Sequence, residues 1–136
     1  MSSFSAHHPN AVRVREAYTR WFEGVVSPMM KLLSEDVVYH LPGKHMGGGD
    51  VHGHAGLLGL GRERPIAYDE QPHSEILDVV ANERFAISYE HHVAKRKGQT
   101  MDQVICSVWR IGQDGRVAEL WAHFEDQDAV DAFAAL

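Results

Sequence analysis

Two long runs in the second half of the chain leave little freedom in how it folds. From Arg84 to Lys95 the residues alternate, with Phe85, Ile87, Tyr89, His91 and Val93 on one face and Ala86, Ser88, Glu90, His92 and Ala94 on the other. Thr100 to Ile111 alternates as well, with Gln103, Ile105, Ser107, Trp109 and Ile111 on one side. A period of two is the signature of strands whose faces meet different surroundings. Lys95-Arg96-Lys97-Gly98 separates the two runs and reads as a solvated hairpin tip, and Gly112-Gln113-Asp114-Gly115 is a second hairpin signal. Ser74 to Val80, closed by Ala81-Asn82-Glu83, precedes this pair, and Arg116 to Phe124 follows it. The second half is therefore a meander of strands.

The first half is helical. Pro9 and Asn10 open a helix in which Val14, Tyr18, Trp21, Phe22 and Val25 recur at three- and four-residue steps, giving an aromatic inner stripe, and Gly24 weakens its end. Ser27-Pro28 starts a second, short helix, since Ser caps free N–H groups and Pro is tolerated at the first helical position. Ser34-Glu35-Asp36 ends it, and Val37 to Leu41 is a short strand stopped by Pro42-Gly43. Lys44 to Gly53 reads as a glycine-rich loop, without the residue order of a phosphate or dinucleotide turn, and His54 to Leu60 as a third short helix. Asp126 to Phe133 forms a terminal helix.

A chain of 136 residues suits one domain, 1–136, with one core. The net charge of −6 opposes polyanion binding, and no basic face with interleaved aromatics is visible, so no nucleic-acid partner is expected. No apolar run approaches the roughly 20 residues that span a bilayer, and Met1 to Asn10 has no secretory apolar segment. Cys106 is the sole cysteine and sits among Val104, Ile105 and Val108, as a buried thiol would. These features suit a cytoplasmic protein.

Several segments together carry a resemblance. They are Ala17-Tyr18-Thr19-Arg20-Trp21-Phe22, Leu33 to Gly43, Gly53-His54 before Leu57, Val108-Trp109-Arg110, Asp114-Gly115-Arg116-Val117 and Glu119-Leu120-Trp121. In this order and spacing the chain resembles the NTF2-like superfamily, nearest its SnoaL-like polyketide cyclase and ketosteroid-isomerase-like branch. The resemblance implies an α+β cone, a curved and mostly antiparallel sheet wrapped by three N-terminal helices around a pocket. It places Phe85, Ile87, Tyr89 and His91, then Gln103, Ile105, Ser107 and Trp109, then Leu120, Ala122 and Phe124 on the concave face. Trp21, His40 and Leu41 complete the substrate-binding set. Val104, Cys106, Val108, Glu119, Trp121 and His123 fall on the convex face, too apolar to leave in water and so the expected homodimer interface. A one-residue slip would exchange His91 for His92 and Ala122 for His123.

Relatives of the ketosteroid isomerase kind combine a carboxylate base with a Tyr and a protonated acid. The resemblance puts the helix Tyr at Tyr18, but the acid positions hold Leu41 and Ser107, and the Asp of SnoaL-like cyclases falls on Ala122. The inward polar groups left are Tyr18, Tyr89, His91, Gln103 and Ser107. The expected catalytic set is then His91 as base, matched to neutral pH, with Tyr18 and Gln103 as oxyanion donors. Such a set suits cofactor-free isomerisation, dehydration or cyclisation of a hydrophobic carbonyl compound. Tyr18 equally fits as plain core beside Trp21 and Phe22. Two other classes stay open: a non-catalytic module binding a small ligand, and a metal protein using His45, Asp50, His52 and His54 on the loop.

Overall fold

The computed structural model describes residues 3–43, 49–59 and 67–136. Its elements in chain order are α1 (Pro9–Phe22), α2 (Ser27–Leu32), β1 (Leu33–Leu41), β2 (Gly49–His52), α3 (Gly53–Leu58), β3 (His73–Ala81), β4 (Phe85–Arg96), β5 (Gln99–Ile111), β6 (Val117–Phe124) and α4 (Gln127–Ala134). The six strands form one sheet in the order β2-β1-β6-β5-β4-β3. β1 runs parallel to β6, and every other neighbouring pair is antiparallel. Helices followed by a mixed, mostly antiparallel sheet give the expected α+β class.

α1 packs on the sheet through small and β-branched residues. Ala11, Val14 and Ala17 are buried, while Tyr18 and Trp21 lie against the same core. The predicted stripe is too long at its end, because the helix stops at Phe22, and Phe22 and Val25 are exposed. At the start, the His8 ring accepts the Asn10 N–H at 3.1 Å. The main core gathers Val14, Leu33, Val37, Val79, Trp109 and Val117 between helices and sheet. A smaller core closes the other end, where Val130 and Phe133 of α4 meet Ala94 and Met101. Asp126 caps α4 by accepting the Ala129 N–H at 3.0 Å, as its place at the helix start suggests.

Two segments differ from expectation. β1 begins at Leu33 rather than Val37, since the polar run Ser34-Glu35-Asp36 lies in a bulge between the Leu33–Val117 and Val38–Glu119 pairs. The expected glycine-rich loop also contains a strand, β2, whose partners on β1 are Val38 to Leu41. Gly53 opens α3 at φ 71°, and a Cβ there would stand 2.9 Å from the Glu35 carbonyl oxygen, so the position needs glycine. Leu60, at the expected end of α3, lies outside the described residues.

The face of β4 is opposite to the expected one. Ala86, Ser88, Glu90 and Ala94 are buried, whereas Tyr89 is 47% exposed. Phe85, Ile87, Tyr89 and His91 therefore lie on the outer face. The turn explains it. Lys97 and Gly98 both have positive φ, 50° and 77°, and form a two-residue loop that pairs Arg96 with Gln99. Counting back, Gln103 faces His92, Ile105 faces Glu90, and Trp109 faces Ala86. Cross-strand partners share a face, so inward Gln103, Ile105, Ser107 and Trp109 require inward even-numbered residues on β4.

Candidate active site

Once β4 is turned this way, an acid stands in the interior. Glu90 is 2% exposed, in the middle of β4 and facing α1. The Tyr18 hydroxyl donates to Glu90 Oε1. Ser74 Oγ lies 2.6 Å from His92 Nδ1. Ser74 and His92 are cross-strand partners on β3 and β4, so the sheet register itself brings them together.

The surrounding aromatic groups fix Tyr18. Its ring packs against Phe22 at 4.5 Å and meets Trp109 edge-on at 5.2 Å. The Trp109 indole N–H donates to Ser88 Oγ at 2.9 Å, and Ser88 pairs across the strands with Ser107, both fully buried. The phenol is thus aimed by packing on both sides.

Burial sets the protonation states. It raises the Glu90 pKa, and the hydrogen bond from Tyr18 only partly offsets that rise. Burial and the nearby Glu90 charge both keep Tyr18 protonated far into the alkaline range, and the same two causes raise Tyr39. His92 shifts downward, mainly from burial and then from His91 and His73, and so is a neutral imidazole near pH 7. A carboxyl lifted toward neutral pH beside an uncharged phenol is the equipment of general acid–base catalysis.

An open cavity of about 610 Å³ adjoins the cluster and is lined by Arg15, Thr19, Trp21, Phe22, His73, Ser74 and Ile76. Ser74, the cross-strand partner of His92, lies on the wall of this cavity. A second cavity, about 700 Å³, lies at the far end between β5 and α4, bordered by Met101, Gln103, Asp126 and Phe133.

The residues expected from sequence divide into three groups. Tyr18, Trp21, Leu41, Ile105, Ser107, Trp109, Leu120 and Ala122 lie on the inner side, buried or packed on the core. Phe124 and Gln103 are inward but belong to the far end. Phe124 packs on the smaller core. The Gln103 amide donates to the Asp126 carbonyl at 2.9 Å and accepts the Asp126 N–H at 3.1 Å. Phe85, Ile87, Tyr89, His91 and His40 lie outside. His91 Nε2 is 2.6 Å from Asp102, across the sheet from Tyr18. His40 stacks on Trp121 and bridges Asp50 at 2.8 Å and Glu119 at 2.7 Å. It points out while its neighbours Tyr39 and Leu41 pack inward.

Glu90 and Ser74 are the site residues missed from sequence, and the two-residue Lys97-Gly98 turn was the signal that could have found them. For the metal reading, His45 lies outside the described residues, and the His54 ring nitrogen contacts the Leu33 carbonyl at 2.9 Å. Among the described residues no three His, Cys, Asp or Glu side chains are placed to share a metal.

Comparison with known proteins agrees with this architecture. Residues 14–120 match the SnoaL-like domain, and the chain belongs to that family. The fold is NTF2-like. Bal32a, from a soil-derived mobile gene cassette, is 26% identical with a TM-score of 0.81, over 95% of this chain and 98% of its own. An NTF2-like protein of unknown function from Burkholderia pseudomallei is 20% identical with a TM-score of 0.79, over 93% and 98%. IdmH of Streptomyces antibioticus, provisionally assigned as a polyketide cyclase, is 16% identical with a TM-score of 0.68, over 94% and 99%. No curated protein matches the sequence. Among the described residues no helix is long and apolar enough to cross a membrane.

Proposed function

We propose that this chain is an acid–base enzyme of the isomerase or lyase type, acting on a hydrophobic carbonyl compound, with Glu90 as the proton-transferring carboxyl and Tyr18 as the donor to the developing oxyanion. The observation that carries the reading is the buried Glu90 carboxyl held by the Tyr18 hydroxyl beside an open cavity. Proton abstraction next to a carbonyl needs a base of raised pKa and a neutral donor, and this pair supplies both. Tyr18 keeps the role expected from sequence. Glu90 takes the part first given to His91, and the Gln103 amide is engaged by Asp126 instead. The reading needs only proton transfer, so these side chains suffice for it.

Turnover of a panel of enones, hydroxyketones and polyketide-like esters tests it. On any substrate found, Glu90→Gln lowers kcat by about 10²-fold or more. Full turnover by that variant would remove Glu90 from the mechanism.

A second reading, a binding module without chemistry, is favoured by Leu41, Ser107 and Ala122 standing where relatives hold acids. Retention of a small apolar ligand with no product formed would establish it. In either case we expect one domain over 1–136, working in a reducing cytoplasm that keeps Cys106 free, and a homodimer formed through the outer face. That face carries Ile87, Tyr89, Val108 and Trp121 with charged groups of both signs, Arg110 and Glu119, at its border, the composition of a self-complementary surface.

A further inference from the structure

The basic run Lys95-Arg96-Lys97, read from sequence as a solvated hairpin tip, has a partner. Residues 67–72 lead into β3, and their hydrogen bonds and ion pairs among the described residues all go to that tip. The Asp69 N–H donates to the Lys95 carbonyl at 2.8 Å. The Asp69 carboxylate spans the turn, with Oδ1 accepting the Lys97 N–H and Oδ2 the Gly98 N–H, both at 2.9 Å. Arg96 reaches the Ala67 carbonyl at 2.8 Å, and Lys95 pairs with Glu70 at 3.1 Å. Directly after Glu70, Gln71 and Pro72 line the same open cavity as Trp21 and Phe22 of α1.

We infer that residues 67–72 are a strap forming the movable wall of the cavity beside Glu90, and that Asp69 is the latch holding this strap on the β4–β5 turn.

The two walls differ in how firmly they are held. α1 is fixed to the sheet by buried Ala11, Val14 and Ala17, whereas no residue of 67–72 is buried. Pro72 fixes its own φ and keeps Gln71 out of the helical region, so the arm from the latch to β3 is extended and stiff. A displacement at Asp69 is therefore carried into the cavity wall. The latch bonds lie at the surface, where water competes for them, so they open and re-form without unfolding the sheet.

The turn that receives the latch is firm. Lys97 and Gly98, both at positive φ, present two successive N–H groups to one carboxylate, an arrangement that suits an anion. These donors, Gly98 first and then Lys97, hold the Asp69 carboxyl below its ordinary range, so it is an acceptor only near neutral pH. Arg96 and Lys97 also donate to the Leu136 carbonyl, which ties the tip to the end of α4.

The inference takes from the proposed function only that this cavity is the substrate's, and its test needs no substrate. Amide exchange at Lys97 and Gly98 reads the latch. Acrylamide quenching of Trp21 fluorescence, taken as the difference from Trp21→Phe in each background, reads the wall. In Asp69→Ala the two amides exchange about tenfold faster, and the Trp21 quenching constant rises about twofold or more. Asp69→Asn keeps one acceptor oxygen and falls between the parent and Asp69→Ala on both readouts. It also carries the comparison if Asp69→Ala does not fold. Faster exchange with Trp21 quenching unchanged would leave Asp69 as a brace of the turn and overturn the strap. Unchanged exchange in both variants would overturn the latch itself. Either failure leaves the Glu90→Gln turnover test untouched. Raised Trp21 quenching in Asp69→Ala with full turnover in Glu90→Gln would instead remove Glu90 from the chemistry and keep the latched cavity.

Discussion

Tyr18 and Glu90 lie 72 residues apart in sequence and share one hydrogen bond between α1 and the middle of β4. The bond joins the one helix tyrosine expected from family likeness to an acid that the likeness does not supply. Helix and sheet are thereby joined at a buried polar contact.

A carboxyl placed there for chemistry should weaken the fold at neutral pH. Its pKa is raised in the folded protein, so the folded state binds the Glu90 proton more tightly than the unfolded chain does. Stability linked to Glu90 is thus fully present below the ordinary glutamate range and is lost as pH rises through the raised value. Glu90→Gln, which cannot ionise, is expected to melt higher than the parent at pH 8 and to lose that advantage near pH 4. Thermal denaturation of both proteins across that range checks it, and equal melting temperatures at pH 8 would contradict the buried placement.

Gln103 is expected to act on α4 rather than on chemistry. Gln103→Ala removes both hydrogen bonds to the Asp126 main chain. The expected loss is about 1–3 kcal/mol in urea unfolding, with faster amide exchange over 127–134 and turnover within a fewfold of the parent. A hundredfold fall in kcat at unchanged stability would instead restore Gln103 as an oxyanion donor.

Trp109→Phe keeps the ring packing against Tyr18 but leaves the buried Ser88 hydroxyl without its indole donor. The expected cost is about 1–3 kcal/mol. Trp109→Phe combined with Ser88→Ala should recover part of it, and a double-mutant cycle by chemical denaturation measures how much.

On the outer face, hydrogen bonds to Glu119 and Asp50 raise the His40 pKa, and His40 with Arg110 lowers that of Glu119. A raised histidine stabilises below its ordinary pKa and loses the effect as pH climbs through the folded value. A lowered glutamate stabilises above its ordinary pKa and loses the effect as pH falls through its folded value. The cluster therefore contributes between the two, and His40→Asn should cost most stability near pH 6 and least near pH 9 and pH 3. Added salt should shrink the difference, because these groups are partly exposed.

If the outer face joins two copies, Tyr89→Glu should shift the protein toward monomer in sedimentation without unfolding it, since Tyr89 is 47% exposed in one copy. An unchanged sedimentation coefficient at micromolar concentration would rule this face out.

The order of helices and strands was legible because periodicity and turn residues carry it. The alternation of Thr100 to Ile111 and the hairpin at Gly112 to Gly115 needed nothing more. The orientation of β4 was not legible from hydrophobicity. Its outer face, with Phe85, Ile87, Tyr89 and Val93, is more apolar than its inner one, because the inside holds small residues under α1 and the Glu90 cluster. The hairpin geometry at Lys97-Gly98 outranks hydrophobicity there, and it settles which histidine and which acid look inward. β2 was hidden for a related reason. Glycines that suggest a loop also occur in a short edge strand held by pairing with Val38 to Leu41.

The parallel seam between β1 and β6 sets the sequence of events as the chain leaves the ribosome. β3, β4, β5 and β6 can zip up one after another as neighbours in sequence. β1 emerges early, yet the strand that covers its inner edge starts at Val117 and arrives more than eighty residues later. Until then Val37 and Tyr39 belong to an edge open to any extended segment nearby. A chaperone that holds the nascent N-terminal half is thus expected to matter for yield.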